Sequence, residues 1–472
     1  MKPNSANWKW AAAGLLSLAA VTPLRADTAS DSSPEISQLK KQIEELDQKI
    51  RILERNREID RDVASDAAKN APRLSIGQDG VSFSSSDSNF VAQLHAVIQA
   101  DSRTYFKDGG NNGNDGFLLR RARPIFSGTV YHRFDFMFIP DFGGSAPQIQ
   151  DAYVNFRFFP ELQLQAGKFK APVGLEQLQA EQNGLFNERS LVTDLVPNRD
   201  LGVELRGDLF DGRITYAAGI FNGTPDYSSS TTNSSFSDFK SYDGRVFFQP
   251  WRNSTTDALR GLGFGLGGNY QADHPNANAG TGLTPGYTTD GQQKFFTYKS
   301  GVTGDGPLWR LSPQAYYYYG PFGLMAEYAI SDQTVAAAGG TPVALHNTAW
   351  EINGSWVLTG DDASYNGVTP LHPFDPLNGH WGAFQIGARY AELSVDPNAF
   401  TADGGALADN ARYASGAKAW GLTLNWYLNK DVRINLGYSH TTFSGYGGSS
   451  PNGANAAAQS ENVLFTRMQL AF

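Results

Sequence analysis

The stretch QDAYVNFRFFPELQLQAGKFKAPVGLEQLQAEQNGLFNERS, residues 150–190, holds both patterns on which the fold depends. Ala152, Val154, Phe156 and Phe158 alternate with Asp151, Tyr153, Asn155 and Arg157. A period of two with one apolar and one polar face is that of a β-strand. Pro160-Glu161 offers a short turn, and a second alternating strand runs up to Gly167. The pattern then breaks. About twenty polar residues follow without strong alternation, until strand-like text resumes near Asp200. They carry both signs of charge (Lys168, Lys170, Glu176, Glu181, Glu188, Arg189) and two apolar anchors, Leu175 and Phe186. Such an interruption among strands predicts a functional loop. Here it is expected to fold into the mouth of a barrel.

Working outward, the same alternation recurs. Phe134, Phe136 and Phe138 oppose Arg133, Asp135 and Met137; Leu422, Leu424, Trp426 and Leu428 oppose Thr423, Asn425 and Tyr427. Val432, Ile434, Leu436 and Tyr438 oppose Arg433, Asn435 and Ser439. About sixteen such segments fall within residues 90–472. Short turns (160–161, 211–212, 320–321, 429–431) alternate with long Gly/Ser/Asn-rich loops (224–238, 272–292, 331–346, 396–415, 444–460). Short turns at one end and long loops at the other describe an outer-membrane barrel. Tyr316 to Tyr319, Trp420, Trp426 and Tyr427 sit near strand ends, as interfacial girdles do. Residues 462–472 form a strand ending on the aromatic Phe472, suited to closing the barrel. A soluble sandwich would also alternate, but it rarely needs a polar inner face on every strand. The fold predicted is all-β: a sixteen-stranded antiparallel transmembrane barrel around a water-filled channel.

The chain has no cysteine, so disulfides and thiolate metal sites are excluded. No run of about 18 apolar residues predicts a membrane helix. Lys2 and Lys9 precede an apolar run over 10–21, and Leu24-Arg25-Ala26 offers cleavage after Ala26. Over 34–57, Ile36, Leu39, Ile43, Leu46, Ile50 and Leu53 recur at spacings of three and four among charged residues. That is an a/d seam of about three heptads and predicts a short N-terminal coiled coil. Ile at a with Leu at d favours two strands. Residues 58–89 read as a polar linker. The expected organisation is a signal peptide over 1–26, a periplasmic coiled-coil stalk and linker over 27–71, and an outer-membrane barrel over 72–472. Losing Lys2, Lys9 and Arg25 takes the formal charge from -9 to about -12, which disfavours nucleic acid as a partner.

From FLLRRAR (117–123) the chain resembles the phosphate-selective porin O/P family. The likeness continues through FDFMFIPDF (134–142), residues 150–178, NERS (187–190), PNRDLGVEL (197–205) and YAAGIFNG (216–223). It returns in YGPFGLMAEY (319–328), GSWVLTGDDASY (354–365), GLTLNWYLNKDVRINLGYSH (421–440) and the closing strand. The resemblance implies trimeric sixteen-stranded barrels that pass anions by diffusion. It places the family's paired pore arginines on Arg120 and Arg121, and the arginine after the inward loop on Arg189. Three family cations are replaced, by Val97, Gln177 and Asn366. A narrow pore strips part of an anion's water, so fixed cations must replace it. Arginine supplies a planar fork and lysine a point charge. With those lysines missing, a weak anion preference is expected rather than tight phosphate selection.

The candidate pore residues are Arg120, Arg121, Arg123, Lys168, Lys170 and Arg189; the candidate constriction residues are Glu176, Gln177 and Glu181. Strict alternation sets Arg121 and Arg123 on one face and Arg120 on the other, so a bulge or a strand end is needed to bring both paired arginines inward. Lumen salt bridges with Asp135, Asp151 and similar acids, bracing the wall, are the competing role for these arginines. Glu181, Glu188 and Arg189 could equally lock the loop to the wall. Gly263, Gly265 and Gly268 fit G-x-G-x-x-G, but with no helix following, lumen packing explains them better. His372, Asp375 and His380 sit at irregular spacing in a Pro-rich loop, and no metal or cofactor is expected. No serine–histidine arrangement suggests an enzyme. The expected protein is an outer-membrane porin for small hydrophilic solutes, anions favoured. Its expected partners are anionic solutes, outer-membrane lipid and two further copies in a homotrimer. The alternative is a non-selective or envelope-tethering barrel.

Overall fold

The computed structural model describes residues 34–77, 80–106, 113–144, 146–230, 239–272, 286–404, 407–445 and 460–472. The signal segment expected over 1–26 lies outside them, as do parts of loops 224–238, 272–292 and 444–460.

The described residues of the N-terminal unit form one helix, α1 (Pro34–Asn70). Pro34 occupies its first turn, where no backbone donor is lost, and Pro72 follows its end. The helix therefore continues through much of the stretch expected as linker. Residues 57–69 lack Gly and Pro and hold Ala and Arg among their acids, so their polarity marks an exposed helix rather than coil. All six seam residues are exposed, Leu53 the most at 63%. The remainder of the expected linker holds a hairpin, β1 (Arg73–Gly77) and β2 (Gly80–Ser84).

Sixteen antiparallel strands form the wall. They are β3 (Phe90–Tyr105), β4 (Gly116–Val130), β5 (Phe134–Asp141), β6 (Gln148–Phe159), β7 (Leu162–Lys170), β8 (Arg199–Leu209), β9 (Ile214–Phe221) and β10 (Ser241–Phe248). After β11 (Leu262–Gln271) comes a small inner hairpin, β12 (Tyr287–Thr288) and β13 (Lys294–Phe296). The wall resumes with β14 (Thr303–Tyr319), β15 (Phe322–Ala336), β16 (Val343–Val357), β17 (Ala383–Ser394), β18 (Gly416–Tyr427), β19 (Val432–Ser444) and β20 (Ser460–Ala471). Each wall strand pairs with the next, and β20 pairs with β3 from Val463↔Tyr105 to Ala471↔Val97. Closure leaves no unpaired edge in lipid, where an unpaired backbone group has no water to bond. Below the end of β20, β2 takes over the edge of β3, with Val81 opposite Leu94.

The alternation is inside-out. On β18, Thr423 and Asn425 are buried while Leu422 and Leu424 are exposed; on β19, Arg433 and Asn435 are buried while Leu436 is exposed. Apolar side chains face lipid and polar ones face the lumen. One half of the lumen nevertheless has an apolar filling. Phe295 and Phe296 of the inner hairpin, Leu191 and Leu195 of the inward loop and Leu407 pack on Leu345 and Leu393 of the wall.

Three loop expectations need correction. The 331–346 segment is mostly strand, because β15 runs to Ala336 and β16 starts at Val343. The turn end is not uniformly short: residues 358–382 join β16 to β17, and Ala363 and Val368 pack against Val357, Ala383 and Tyr427. Third, several of the supposed girdle aromatics turn inward. Tyr427 is buried, Tyr318 packs on that cluster, and Tyr316 stacks on Tyr365 of the inserted segment at 5.4 Å.

Candidate functional site

The break in alternation after Gly167 becomes a loop of residues 171–198 that folds into the lumen. Ala171, Val173, Leu175 and Leu195 are buried, with a short helix α2 (Leu175–Leu178) and a single 3-10 turn (Leu191–Leu195). One flank is fixed by backbone contacts. Glu327 of β15 accepts hydrogen bonds from the Leu175 and Glu176 amides at 2.9 and 2.8 Å, so a carboxylate caps the start of α2. Gln314 donates to the Val173 carbonyl, and Tyr365 to that of Leu175. Gly267 lies against the same turn: a Cβ there would sit 2.1 Å from the Val173 oxygen. A glycine facing the loop is thus required, as expected for the G-x-G-x-x-G segment, which lies in β11.

The other flank is held by charge. Glu188 receives Arg120 through two bonds (2.7 and 2.9 Å), Arg103 at 3.1 Å and Arg467 at 3.0 Å. Arg467 also forks onto Asp101 at 2.6 and 2.7 Å. Glu181 meets Arg199 at 3.0 Å, Arg123 at 3.2 Å, Arg189 at 3.4 Å and Lys170 at 3.6 Å. Arg123 is shared with Asp141, and Arg199 with Asp151. Burial raises the pKa of the Glu181 carboxyl, but Lys170, Arg199, Arg123 and Arg189 together hold it well below the ordinary range. Glu188 is likewise desolvated, and Arg120, Arg467 and Arg121 hold it well below that range. Asp194 has no cation partner among the described residues; burial pushes its pKa well above the usual value, against hydrogen bonds from Thr288.

The candidate arginines gather as the pattern required. Opposite β3, Gln99 pairs with Arg121 and Ala100 with Leu119, so Arg120 is the extra residue of a bulge. Arg120, Arg121, Arg123, Arg189 and Arg199 line one cavity of about 120 Å³ with Glu181, Glu188 and Asp194. Arg121 is 6% exposed and is held by Gln99 through one bond of 2.7 Å, with no carboxylate in salt-bridge contact among the described residues. Lys170 donates to the Gln179 carbonyl at 2.7 Å, and Lys168 is buried without a partner among the described residues. Arg189 binds the carbonyls of Glu176, Gln177 and Gln179. Glu176 ties the loop to Arg389 and Ser190. Gln177 is buried against the Asn198 side chain.

Bracing of the candidate arginines falls to other acids: Arg123 pairs with Asp141 and Arg120 with Glu188, while Asp135 takes Arg157 and Asp151 takes Arg199. Arg103, Arg199, Arg389 and Arg467 were missed by the sequence reading. Alternation in residues 462–472 already set Arg467 on the polar face, but nothing local named its partner. Among the described residues, no three His, Asp or Glu side chains gather to hold a metal.

A closed sixteen-stranded barrel with an inward loop facing an arginine-lined wall is the architecture of an outer-membrane porin. The phosphate-selective porin O and P family matches over residues 92–472, and the chain belongs to it. It is therefore a porin of the bacterial outer membrane. Porin O of Pseudomonas aeruginosa is 22% identical over 400 residues, covering 76% of this chain and 84% of that protein. The outer membrane channel DcaP of Acinetobacter baumannii superposes with a TM-score of 0.51 at 10% identity, over 81% of this chain and 98% of that one. An anion-selective porin from Comamonas acidovorans superposes at 0.48 and 12% identity, over 81% of this chain and all of its own.

Proposed function

We propose that this porin passes small anions, inorganic phosphate and phosphorylated solutes among them, along the arginine side of its constriction. The observation that carries this is a charge imbalance. Arg103, Arg120, Arg121, Arg123, Lys170, Arg189, Arg199 and Arg467 share Glu181, Glu188, Asp101, Asp141 and Asp151, eight cations to five carboxylates. Asp194 favours negative charge less than an ordinary carboxylate, because burial raises its pKa well above the usual range. Of these eight, Arg121 is the cation least compensated: Nη1 donates to Gln99 while the buried Nε has no hydrogen-bond partner among the described residues, which leaves part of the fork for an anion's oxygen. Most of the other arginines are already engaged by the loop, which supports a weak preference over tight selection. The family name and the arginine positions agree with this reading.

The assembly we propose is a homotrimer, with residues 1–26 as signal and 27–71 as a periplasmic stalk whose exposed α1 seam pairs between copies. The test is the reversal potential of the purified protein in planar bilayers across a potassium chloride gradient. An anionic sign is expected, with millimolar phosphate reducing the chloride current and Arg121→Ala removing that block. A cationic sign would sink the proposal.

A further inference from the structure

Between the inward loop and the turn end of the barrel, the lumen changes character. On β4 the inward positions read Arg121, Arg123, Ile125 and Ser127, and on β3 they read Asp101, Gln99, Val97 and His95. On β20 they read Arg467, Gln469 and Ala471. Three neighbouring strands thus pass from charged side chains to apolar or neutral ones, over about 13 Å of strand from Arg121 to Ile125. A second cavity, of about 360 Å³, opens where they do. Val97, Ile125 and Met137 line it from the wall, and Val368 from the inserted segment 358–382. Gln182 and Asn183 close it from the loop side.

The charged side chains of this cavity are Lys430, Asp431 and Arg433. The first two are opposite in sign, which leaves Arg433. It is 2% exposed and has no carboxylate in salt-bridge contact among the described residues. Its Nη1 donates to the Gly184 carbonyl at 2.7 Å and its Nη2 to Gln469 at 3.2 Å, while the buried Nε has no hydrogen-bond partner among the described residues. The guanidinium also lies over the Tyr427 ring, 5.6 Å from its centroid. A cation buried among neutral groups alone costs free energy, which an anion would recover.

Arg433 is linked to the constriction. Gln469 Oε1 accepts from Arg433 and from Gln99, and Gln99 Oε1 accepts from Arg121. Arg121 and Arg433 therefore stand on either side of one pair of side-chain amides, and an anion leaving the first meets the second. Their surroundings differ. The cavity at Arg121 is about 120 Å³ and is walled by charged and polar side chains. The cavity at Arg433 is larger and has apolar surface within it. A bare inorganic anion gains nothing from Val97, Ile125 and Met137. An anion that carries a ring or a short alkyl group would bury it there.

We propose that this second cavity binds small organic anions, with a phosphate or carboxylate head on Arg433 and an apolar group against Val97, Ile125 and Met137. The proposal rests on the reading that this pore passes anions, and adds the class of anion held on the way through.

The test is block of the chloride current through the full-length protein in planar bilayers, by phenyl phosphate and by methyl phosphate. The two probes share one ionising group and differ in apolar area. Phenyl phosphate is expected to half-block at a roughly tenfold lower concentration, the gain from burying about half of its ring. Ile125→Ser with Met137→Ser should bring the probes to parity, by removing the apolar wall. Arg433→Gln should do the same separately, by removing the charge that seats the head. In Arg121→Ala, phenyl phosphate should still block. Equal block by the two probes in the wild-type protein, or none, would overturn this site and leave the anion reading to its own reversal potential. A cationic reversal potential would overturn both. A phenyl advantage that survives Arg433→Gln and the Ile125/Met137 pair would put the apolar contact elsewhere and equally overturn the site.

Discussion

Where the inward loop passes Gly267 and Glu327, its own backbone groups meet the barrel; from Glu181 to Arg189 it touches the wall through charge. The first flank has little room to adapt, since its partners are main-chain atoms already bonded. The second is a set of long side chains sharing carboxylates, and it can redistribute when an anion arrives. The comparison assigns shape to one flank and selectivity to the other. Changes to the first should move conductance and loop order; changes to the second should move ion preference.

The largest effect is expected from Gly267→Val. Its Cβ would meet the Val173 oxygen at 2.1 Å, so the loop must leave the wall. Overpacking of this kind costs about 1–3 kcal/mol. Single-channel conductance should rise several-fold with anion preference weakened, and unchanged conductance would remove the anchoring role. Next is Glu181→Gln. It withdraws one negative charge from among four cations while keeping the side chain's shape. One charge acting at about 7 Å in a water-like dielectric is worth about 0.6 kcal/mol, roughly threefold in the anion-to-cation permeability ratio. The reversal potential should shift toward the anion limit by that factor. A shift toward zero with raised conductance would mean that Glu181 acts as a tether alone.

A smaller gain is expected from Gln177→Lys, which restores a cation where the family resemblance places one. Gln177 is buried on Asn198, and Asn198 lines the arginine cavity. A lysine there extends toward the cavity but meets Arg189 and Arg199. Phosphate block of the chloride current should strengthen by roughly twofold, less than for a free site because like charges oppose it. An unchanged block would put position 177 away from the solute path.

The two flanks also differ in how far they could be read in advance. Strands such as β6 and β18 were legible because lipid and water impose a strict period of two. The loop was legible as a break in that period, and the bulge at Arg120 as one of two ways, with a strand end the other, to turn both paired arginines inward. The partners were not. Arg467 and Glu188 are 279 residues apart, and no local pattern marks which acid closes on which base. Phe295, Phe296 and Leu407 were hidden for another reason. They fill the lumen as a globular core does, with neither a strand nor a helix period to announce them.

The smallest effect is expected from mild acid, and its sign separates two kinds of buried carboxyl. Glu181 and Glu188 are held below the ordinary carboxylate range by their arginines. A depressed folded pKa gives stability that is complete above the unfolded value, about 4.3 for glutamate, and lost only as pH falls through the folded value. Conductance and anion preference should therefore be the same at about pH 7 and pH 5, with the charged flank releasing only in stronger acid. Asp194 has the opposite sign. Its raised folded pKa gives stability that is complete in acid and fades as pH rises through that value. Asp194→Asn keeps an acceptor for the Thr288 amide and removes the titration, so it should flatten any loss of thermal stability on the alkaline side. If wild-type selectivity instead fell between pH 7 and pH 5, the cation-rich network would not be what holds Glu181 and Glu188 ionised, and the division between a shaping flank and a selecting flank would fail.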